Sequence, residues 1–298
     1  MLASVRAYVA LTKPRIIELL LVTTLPTMFL AARGWPGLGL VTATLTGGAA
    51  AAGAANALNS FLDRDIDSVM NRTRRRPLVT GEITPSRALA FAYVLGAASV
   101  LWLGLAVNWV AGWLTLAAIL LYVVGYTILL KRRTAQNIVW GGAAGCMPVL
   151  IGWSAVTGGL SWAPFVLFGV VFFWTPPHYW PLSMKFRADY AAAGVPMLPV
   201  VAQDRRVTAQ MLGYTAAMIA CSLALVPVAG TGWLYAVAAL ASGAWFGAAC
   251  VRLHRRASRP SGPIQAMRVF RDSITYLTVL FVALAADSLL GLDPALAL

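Results

Sequence analysis

Apolar residues form nine runs along the chain, each long enough to cross a bilayer as a helix. Such a helix needs about 20 apolar residues, and the polar residues concentrate in the segments between the runs. The pattern predicts nine transmembrane helices, over residues 16–33, 38–61, 86–107, 109–130, 137–156, 162–181, 207–229, 232–251 and 272–291. We therefore expect an all-α membrane protein whose residues 1–298 form a single bundle of nine helices.

Positive charge is distributed unevenly between the predicted connections. With the N-terminus on the cytoplasmic side, nine crossings place all of the 23 Lys and Arg residues except Arg33 on that side. Because cytoplasmic connections of membrane proteins collect Lys and Arg, the pattern predicts a cytoplasmic N-terminus and an outside C-terminus. The same rule accounts for the net charge of +13, so no nucleic-acid partner is expected.

The composition is typical of a membrane protein, with 60% hydrophobic and only 11% charged residues. The abundance of Arg over Lys, the many alanines and the lack of an Arg/Ser-rich transit segment favour a bacterial inner membrane. The two longest connections follow the second and sixth predicted helices, both on the cytoplasmic side. Long connections in a compact bundle are usually functional, so the polar chemistry is expected there.

The first long connection begins with closely spaced acids. Asn59, Asp63 and Asp67 are four residues apart, so on a helix they lie along one stripe, whereas Asp65 points roughly the other way. Two carboxylates and an amide supply the oxygen ligands that Mg²⁺ prefers, and substrate phosphates often complete its coordination. A helix end whose acids pair with the arginines that follow would have the same pattern, so the spacing alone leaves both interpretations open.

Basic residues follow the acids in both long connections. Arg72 and Arg76 belong to a run of arginines. The planar guanidinium group of an arginine donates bidentate hydrogen bonds to phosphate oxygens. Topological anchoring or contact with anionic lipids is the alternative role. In the second connection Lys185 and Asp189 are again four residues apart. Two such loops on one membrane face predict a pocket for Mg²⁺ and a diphosphate whose lipid tail lies in the bilayer.

These motifs resemble the UbiA superfamily of intramembrane prenyltransferases. Its first motif is matched by NxxxDxxxD at residues 59–67, followed by NRTR at 71–74. The segments that are similar to the haem-modifying branch of that superfamily are LTKPRIIELLLVTT (11–24), LKRRTAQNIVWGGAAGCMP (130–148), TPPHYW (175–180) and DYAAAGVPMLPVV (189–201). The resemblance covers residues 11–206. It implies a reaction in which farnesyl diphosphate, haem b and water give haem O and pyrophosphate.

The resemblance also implies roles for individual residues. By position in the motifs, the residues expected to hold Mg²⁺ with the diphosphate are Asn59, Asp63, Asp67 and Asp189. Many superfamily members carry a second DxxxD where this chain has Lys185 and Asp189, so the number of metal ligands in the second connection stays open. The basic residues expected at the diphosphate are Arg15, Arg72, Arg76, Lys131 and Lys185.

His178 follows two prolines, Pro176 and Pro177, near the cytoplasmic end of the sixth predicted helix. A histidine inside a membrane segment is a candidate functional residue, and the resemblance favours a role with haem. The candidate roles are binding of the iron, orientation of a propionate and proton transfer. The alternative is a histidine that satisfies carbonyl groups left unpaired by the prolines.

Two other functions compete with this prediction. A UbiA-type enzyme with another acceptor, such as a quinone precursor, would share the same metal site, although TPPHYW and the segment AGVPMLPVV at 193–201 favour haem. A transporter needs polar groups through the full depth of the membrane, whereas the acids here cluster at one face. The expected partners are farnesyl diphosphate, haem b and membrane lipid, with a terminal-oxidase assembly factor or a haem A synthase as further candidates.

Overall fold

The structure is a computed structural model that describes residues 2–259 and 264–292, with backbone only for 2–4, 15, 16 and 18–21. Within these ranges every regular element is a helix, which confirms the all-α prediction. The α-helices are α1 Leu2–Thr12, α2 Pro14–Ala32, α3 Leu38–Leu62, α4 Arg64–Val69, α5 Pro77–Thr80, α6 Pro85–Ala106, α7 Trp109–Leu120, α8 Asn137–Gly141, α9 Ala143–Thr157, α10 Trp162–Lys185, α11 Arg187–Ala192, α12 Leu198–Val201, α13 Asp204–Ala229, α14 Trp233–Ala257 and α15 Ala266–Leu289. A π-helix, π1, covers Leu121–Leu130 between α7 and α8.

Seven helical segments of the described chain are long and apolar enough to cross a membrane, so the protein is a multi-pass membrane protein. They are Leu38–Leu62, Pro85–Ala106, Trp109–Leu130, Asn137–Thr157, Asp204–Ala229, Trp233–Ala257 and Ala266–Leu289. The other two predicted spans coincide with α2 and α10. In α2 the apolar stretch with described side chains is Val22–Ala32, and in α10 three prolines and His178 reduce the mean hydropathy. Nine crossings and the orientation of the termini stay predictions.

The second long helix, α3, packs between several neighbours because most of its residues are small. It contacts α1, α2, α6, α7, α9 and π1. Its packing on α6 is tight at Gly47, where an added Cβ atom would lie 2.6 Å from Cγ of Leu103. Small residues allow such close approach of helices in a membrane, so the Ala- and Gly-rich sequence explains why α3 can carry a site at the centre of the bundle.

Helices α10, α13, α14 and α15 enclose the largest hydrophobic cluster, which includes the fully buried Trp180, Tyr235 and Tyr276. Helix α10 continues through Pro176, Pro177 and Pro181 to Lys185, so it ends four residues beyond the predicted boundary. This extension brings the second long connection, 186–203, to the same end of the bundle as the first.

Candidate active site

Asp63 lies at the junction of α3 and α4, and its side chain is completely buried. Its Oδ2 atom accepts hydrogen bonds from Nζ of Lys131 and from Nδ2 of Asn59, the latter at 2.6 Å. Its Oδ1 atom has no hydrogen-bond partner among the described residues, and Nη2 of Arg132 lies 3.8 Å from it. A buried carboxylate oxygen without a partner is unfavourable, so this atom is suited to bind a cation.

Asp67 is buried beside Asp63 because the backbone hydrogen bonds of α3 continue into α4. The amide of Asp63 donates to the Asn59 carbonyl at 2.9 Å, and the amide of Asp67 donates to the Asp63 carbonyl at 2.8 Å. All three side chains are therefore buried in the same region. The Asp67 carboxylate accepts a hydrogen bond from Nη1 of Arg76. Thr73 closes the turn between Asp67 and Arg76, because its hydroxyl donates to the Asp67 carbonyl at 3.0 Å.

Asp65 lies outside this buried group, with 59% of its side chain exposed. Arg132 donates two hydrogen bonds of 2.6 Å to its two carboxylate oxygens. These bonds lower the pKa of Asp65 to about 2, since they favour the charged carboxylate. Asp65 thus forms a surface ion pair, whereas Asp63 and Asp67 face the interior.

Lys13 supplies a third cation to the buried group, from the connection between α1 and α2. Its Nζ atom donates to Oδ1 of Asn59 at 2.7 Å, and its backbone has the left-handed conformation, with φ 53°. Burial lowers the pKa of Lys13, and the neighbouring cations Arg76 and Lys131 lower it further. The site therefore places three basic side chains around two carboxylates, an arrangement that attracts an anionic ligand.

The two long connections meet beside this group. Nδ2 of Asn71 donates to Oδ1 of Asp189 at 3.1 Å, and Nη2 of Arg72 donates to the Tyr190 hydroxyl at 3.0 Å. The guanidinium of Arg72 also lies over the Tyr190 ring, and that hydroxyl is 2.9 Å from the hydroxyl of Tyr179 in α10. The predicted proximity of the two connections is thus reflected in direct contacts between the residues after Asp67 and those around Asp189.

The structure does not bring Lys185, one of the predicted diphosphate ligands, into contact with the group. Lys185 is exposed, and its Nζ atom lies 5.4 Å from the centre of the Phe186 ring. The side chain of Arg15 lies outside the described residues, although its backbone belongs to α2. The other three predicted ligands, Arg72, Arg76 and Lys131, all make contacts described above.

His178 occupies a separate position between α10 and α15. Its ring is stacked between Trp174, at 4.1 Å between ring centres, and Phe270, at 4.7 Å. Its Nδ1 atom is 2.7 Å from the hydroxyl of Ser273. Among the described residues Nε2 has no hydrogen-bond partner. The contacts of His178 are therefore with α15 and its own helix, and not with the buried carboxylates.

The residues present fit Mg²⁺ only if a ligand from outside the protein completes its coordination. In the described part of the chain no three His, Cys, Asp or Glu side chains are grouped as a metal site. Asp63 and Asp67, with the unpartnered Oδ1 atom and the amide of Asn59, match a cation that is held by one or two carboxylates and by substrate phosphates.

Sequence reasoning missed Lys13, Thr127 and Tyr190 as members of this region. Lys13 was visible within the LTKPR segment, directly before the helix-starting Pro14. Tyr190 directly follows the predicted ligand Asp189. Thr127 had no such signal, because a π-helix changes which residues share a face and hydropathy does not reveal it.

Comparison with known proteins agrees with the motifs. The model of the UbiA prenyltransferase family matches residues 20–287. A protoheme IX farnesyltransferase of Clavibacter sepedonicus is 61% identical over 285 residues, which cover 96% of this chain and 93% of the relative. One of Streptomyces coelicolor is 57% identical over 290 residues, which cover 97% and 92%. The resemblance predicted from the motifs is thereby confirmed.

Solved structures share the fold at low sequence identity. A digeranylgeranylglyceryl phosphate synthase has a TM-score of 0.76 and 15% identity, with 96% of this chain and 99% of that chain covered. A UbiA homolog from Archaeoglobus fulgidus, bound to GPP and Mg²⁺, has a TM-score of 0.66 and 18% identity, with 94% and 99% covered. The chain belongs to the UbiA prenyltransferase family and, within it, to the group of protoheme IX farnesyltransferases.

Proposed function

We propose that the protein is a Mg²⁺-dependent prenyltransferase that moves the farnesyl group of farnesyl diphosphate to a vinyl group of haem b, giving haem O and pyrophosphate. Relatives of 57–61% identity that are named protoheme IX farnesyltransferase support the acceptor and the donor. The structural observation that carries the proposal is the buried carboxylate of Asp63, which has one oxygen without a partner among the described residues and is surrounded by basic side chains.

Asp63 and Asp67 would hold Mg²⁺ together with the diphosphate, and Asn59 and Asp189 are the further candidate ligands. The UbiA homolog bound to GPP and Mg²⁺ supports the pairing of this metal with a prenyl diphosphate. When bound, the metal supplies Lewis-acid stabilisation of the negative charge that grows on the leaving diphosphate. Asp189 is half-buried and accepts a hydrogen bond from Asn71. The second connection thus places a carboxylate against a residue of the first connection.

Basic side chains bind the diphosphate in this proposal. Lys131 and Arg76 donate hydrogen bonds to the two buried carboxylates, and the same N–H groups suit diphosphate oxygens at the same place. Arg72 is held against Tyr190 with its guanidinium at the contact between the two connections. Lys185 and Arg15 would complete the set, Lys185 as a flexible point charge and Arg15 by its position in the family motif.

The reaction balances with one water molecule. The bond between C1 of the farnesyl group and the diphosphate oxygen breaks, and the electron pair leaves with pyrophosphate. The terminal vinyl carbon of haem b forms a bond to C1, and the adjacent carbon takes a hydroxyl group from water, which releases a proton. The buried setting of the carboxylates excludes other water from the allylic cation, which would otherwise be hydrolysed.

His178 is proposed as the contact with haem. Both faces of its ring are covered by Trp174 and Phe270, and Nδ1 is engaged with Ser273. The atom that remains for the iron or a propionate is Nε2. The hydrogen bond at Nδ1 would orient the ring, which is the usual arrangement for a histidine that binds a metal through its other nitrogen.

The proposed setting is the inner membrane of a bacterium, with the carboxylates and the basic residues facing the cytoplasm. The charge distribution between the connections supports this orientation. Because the product is a modified haem, an enzyme that oxidises haem O or a factor that delivers it to a terminal oxidase is the expected class of protein partner.

A product assay tests the proposal. Purified protein in detergent is incubated with farnesyl diphosphate, Mg²⁺ and either haem b or 4-hydroxybenzoate as a quinone precursor, with and without EDTA, and products are identified by mass. We expect a hydroxyethylfarnesyl haem that forms only without EDTA. A prenylated benzoate in place of the haem product would contradict the acceptor, and a haem product in EDTA would contradict the metal.

A further inference from the structure

Thr127 is a buried residue of π1 whose hydroxyl has two well-defined contacts. In π1 the backbone hydrogen bonds span five residues, and Oγ1 of Thr127 donates to the carbonyl of Tyr122 at 3.0 Å. A hydroxyl has one proton to donate, so this bond leaves Oγ1 with acceptor lone pairs only. Nδ2 of Asn59, 3.1 Å away in α3, donates to one of them.

This contact determines the orientation of the Asn59 amide. Its two N–H protons are both used, one by Thr127 and the other by Oδ2 of Asp63 at 2.6 Å. Its oxygen accepts from Nζ of Lys13 at 2.7 Å. The flipped amide would place its oxygen against the Asp63 carboxylate and the Thr127 lone pair, and its NH₂ group against the Lys13 ammonium. The three neighbours together therefore permit one orientation.

The orientation of Asn59 in turn determines which oxygen of Asp63 accepts hydrogen bonds from the protein. Asn59 and Lys131 both donate to Oδ2, so that atom is satisfied. Oδ1 is left buried and without a hydrogen bond among the described residues. A continuous series of hydrogen bonds thus leads from the π-helix to the Asp63 carboxylate, whose Oδ1 atom has no partner in the described part of the chain.

The π-helix explains how Thr127 reaches this position. Its turn of about 4.4 residues, against 3.6 in an α-helix, brings Tyr122, Thr127 and Lys131 close to one line. In a regular α-helix Tyr122 and Lys131 would lie on opposite faces. In this structure the three residues contact Asn56, Asn59 and Asp63 of α3 in the same order.

We propose that Thr127 is a positioning residue which, through Asn59, holds the Asp63 carboxylate with Oδ1 available to a divalent cation. The inference rests on the cation site of the proposed function and assigns the residue that orients it. Loss of a hydrogen bond that orients a metal ligand typically weakens metal binding about 10- to 100-fold. Thr127 is therefore expected to influence cation affinity without touching the cation.

The test uses Thr127→Val, which keeps the shape of the side chain and removes the hydroxyl, and Thr127→Ser, which restores the hydroxyl. The matched control is Thr115→Val in α7, since Thr115 is equally buried and its hydroxyl donates only within its own helix, to the Ala111 carbonyl. Binding of Mn²⁺, as a probe for Mg²⁺, is measured by electron paramagnetic resonance on purified protein in the presence of inorganic pyrophosphate, which supplies the external ligand that the site requires. The spectrum of Mn²⁺ with pyrophosphate alone is subtracted, and thermal unfolding is recorded for each variant.

We expect Thr127→Val to weaken Mn²⁺ binding about tenfold or more, and Thr127→Ser and Thr115→Val to stay close to wild type. Equal Mn²⁺ affinity in wild type and Thr127→Val would overturn the inference and leave the proposed function intact. A wild-type protein that binds no Mn²⁺ would instead contradict the cation site on which both rest. A Thr115→Val variant that loses as much Mn²⁺ affinity as Thr127→Val would also overturn the inference. The loss would then follow from removal of any buried hydroxyl and not from the contact with Asn59.

Discussion

Lys131 donates a hydrogen bond from the end of π1 to the fully buried carboxylate of Asp63 at the end of α3. Two ions buried in direct contact depend on each other, since removal of one leaves the other without compensation. In the proposed function the same ammonium also serves the diphosphate. This pair therefore connects the stability of the site with its activity.

Replacement of Lys131 by Met is predicted to reduce turnover about a hundredfold or more, because a donor to the leaving group is lost. The variant is also expected to unfold at a lower temperature than wild type when no divalent cation is present, and a cation should restore part of that difference. The control is Arg133→Met, since Arg133 is exposed in the same connection. Rates and unfolding temperatures of both variants in detergent check the prediction. Similar rates in the two variants would contradict the role of Lys131.

His178→Ala is predicted to weaken the binding of haem b at least about tenfold, because Nε2 is the ring atom left for the haem. The affinity for farnesyl diphosphate should stay within about twofold, since His178 makes no contact with the buried carboxylates. The matched control is His254→Ala, because Nδ1 of His254 also lies near a hydroxyl, that of Thr208 at 2.9 Å. Each variant is titrated with haem b, and the change in the haem absorption spectrum gives the affinity of each. Unchanged haem affinity in His178→Ala would exclude the contact.

Asp287 has a structural role at the opposite end of the bundle from the two long connections. Its carboxylate accepts hydrogen bonds from the amides of Gly232 at 2.6 Å and Tyr235 at 3.2 Å, so α15 caps the first turn of α14. Asp287→Asn is predicted to lower the free energy of unfolding by about 1–2 kcal/mol, because the NH₂ group of Asn cannot accept one of the two backbone hydrogen bonds and a buried N–H is left unsatisfied. Thermal unfolding should show this loss, while turnover below the transition stays near wild type. Asp272→Asn, in the same helix, is the control, and an equal loss there would refute the capping role.

The positions of the long helices could be predicted from sequence because bilayer thickness imposes the length of an apolar run. The ends were less predictable. Helix α10 continues through its three prolines to Lys185, although prolines usually end or bend a helix. The short helices α4, α5, α11 and α12 lie in the two long connections and have no hydropathy signal of their own.

The acidic part of the candidate site was predictable because Asn59, Asp63 and Asp67 are close in sequence, where a period of four has a direct geometric meaning. The contacts that complete it join distant parts of the chain. Lys13 reaches Asn59 only because α1 and α2 are separated by a left-handed residue. Thr127 reaches it only because π1 departs from the α-helical period. Neither condition can be inferred from residue spacing.

The most direct test of the account compares turnover in Asp63→Asn, Asp67→Asn and Asp65→Asn, with folding verified by thermal unfolding. The account assigns catalytic charge to the two buried carboxylates and only a surface ion pair to Asp65. We expect Asp63→Asn and Asp67→Asn to lose about a hundredfold or more in turnover at saturating Mg²⁺, since each removes a candidate metal ligand. Asp65→Asn should stay within about fivefold of wild type, because exposed ion pairs contribute about 0–1 kcal/mol. Equal losses in all three folded variants would contradict the account.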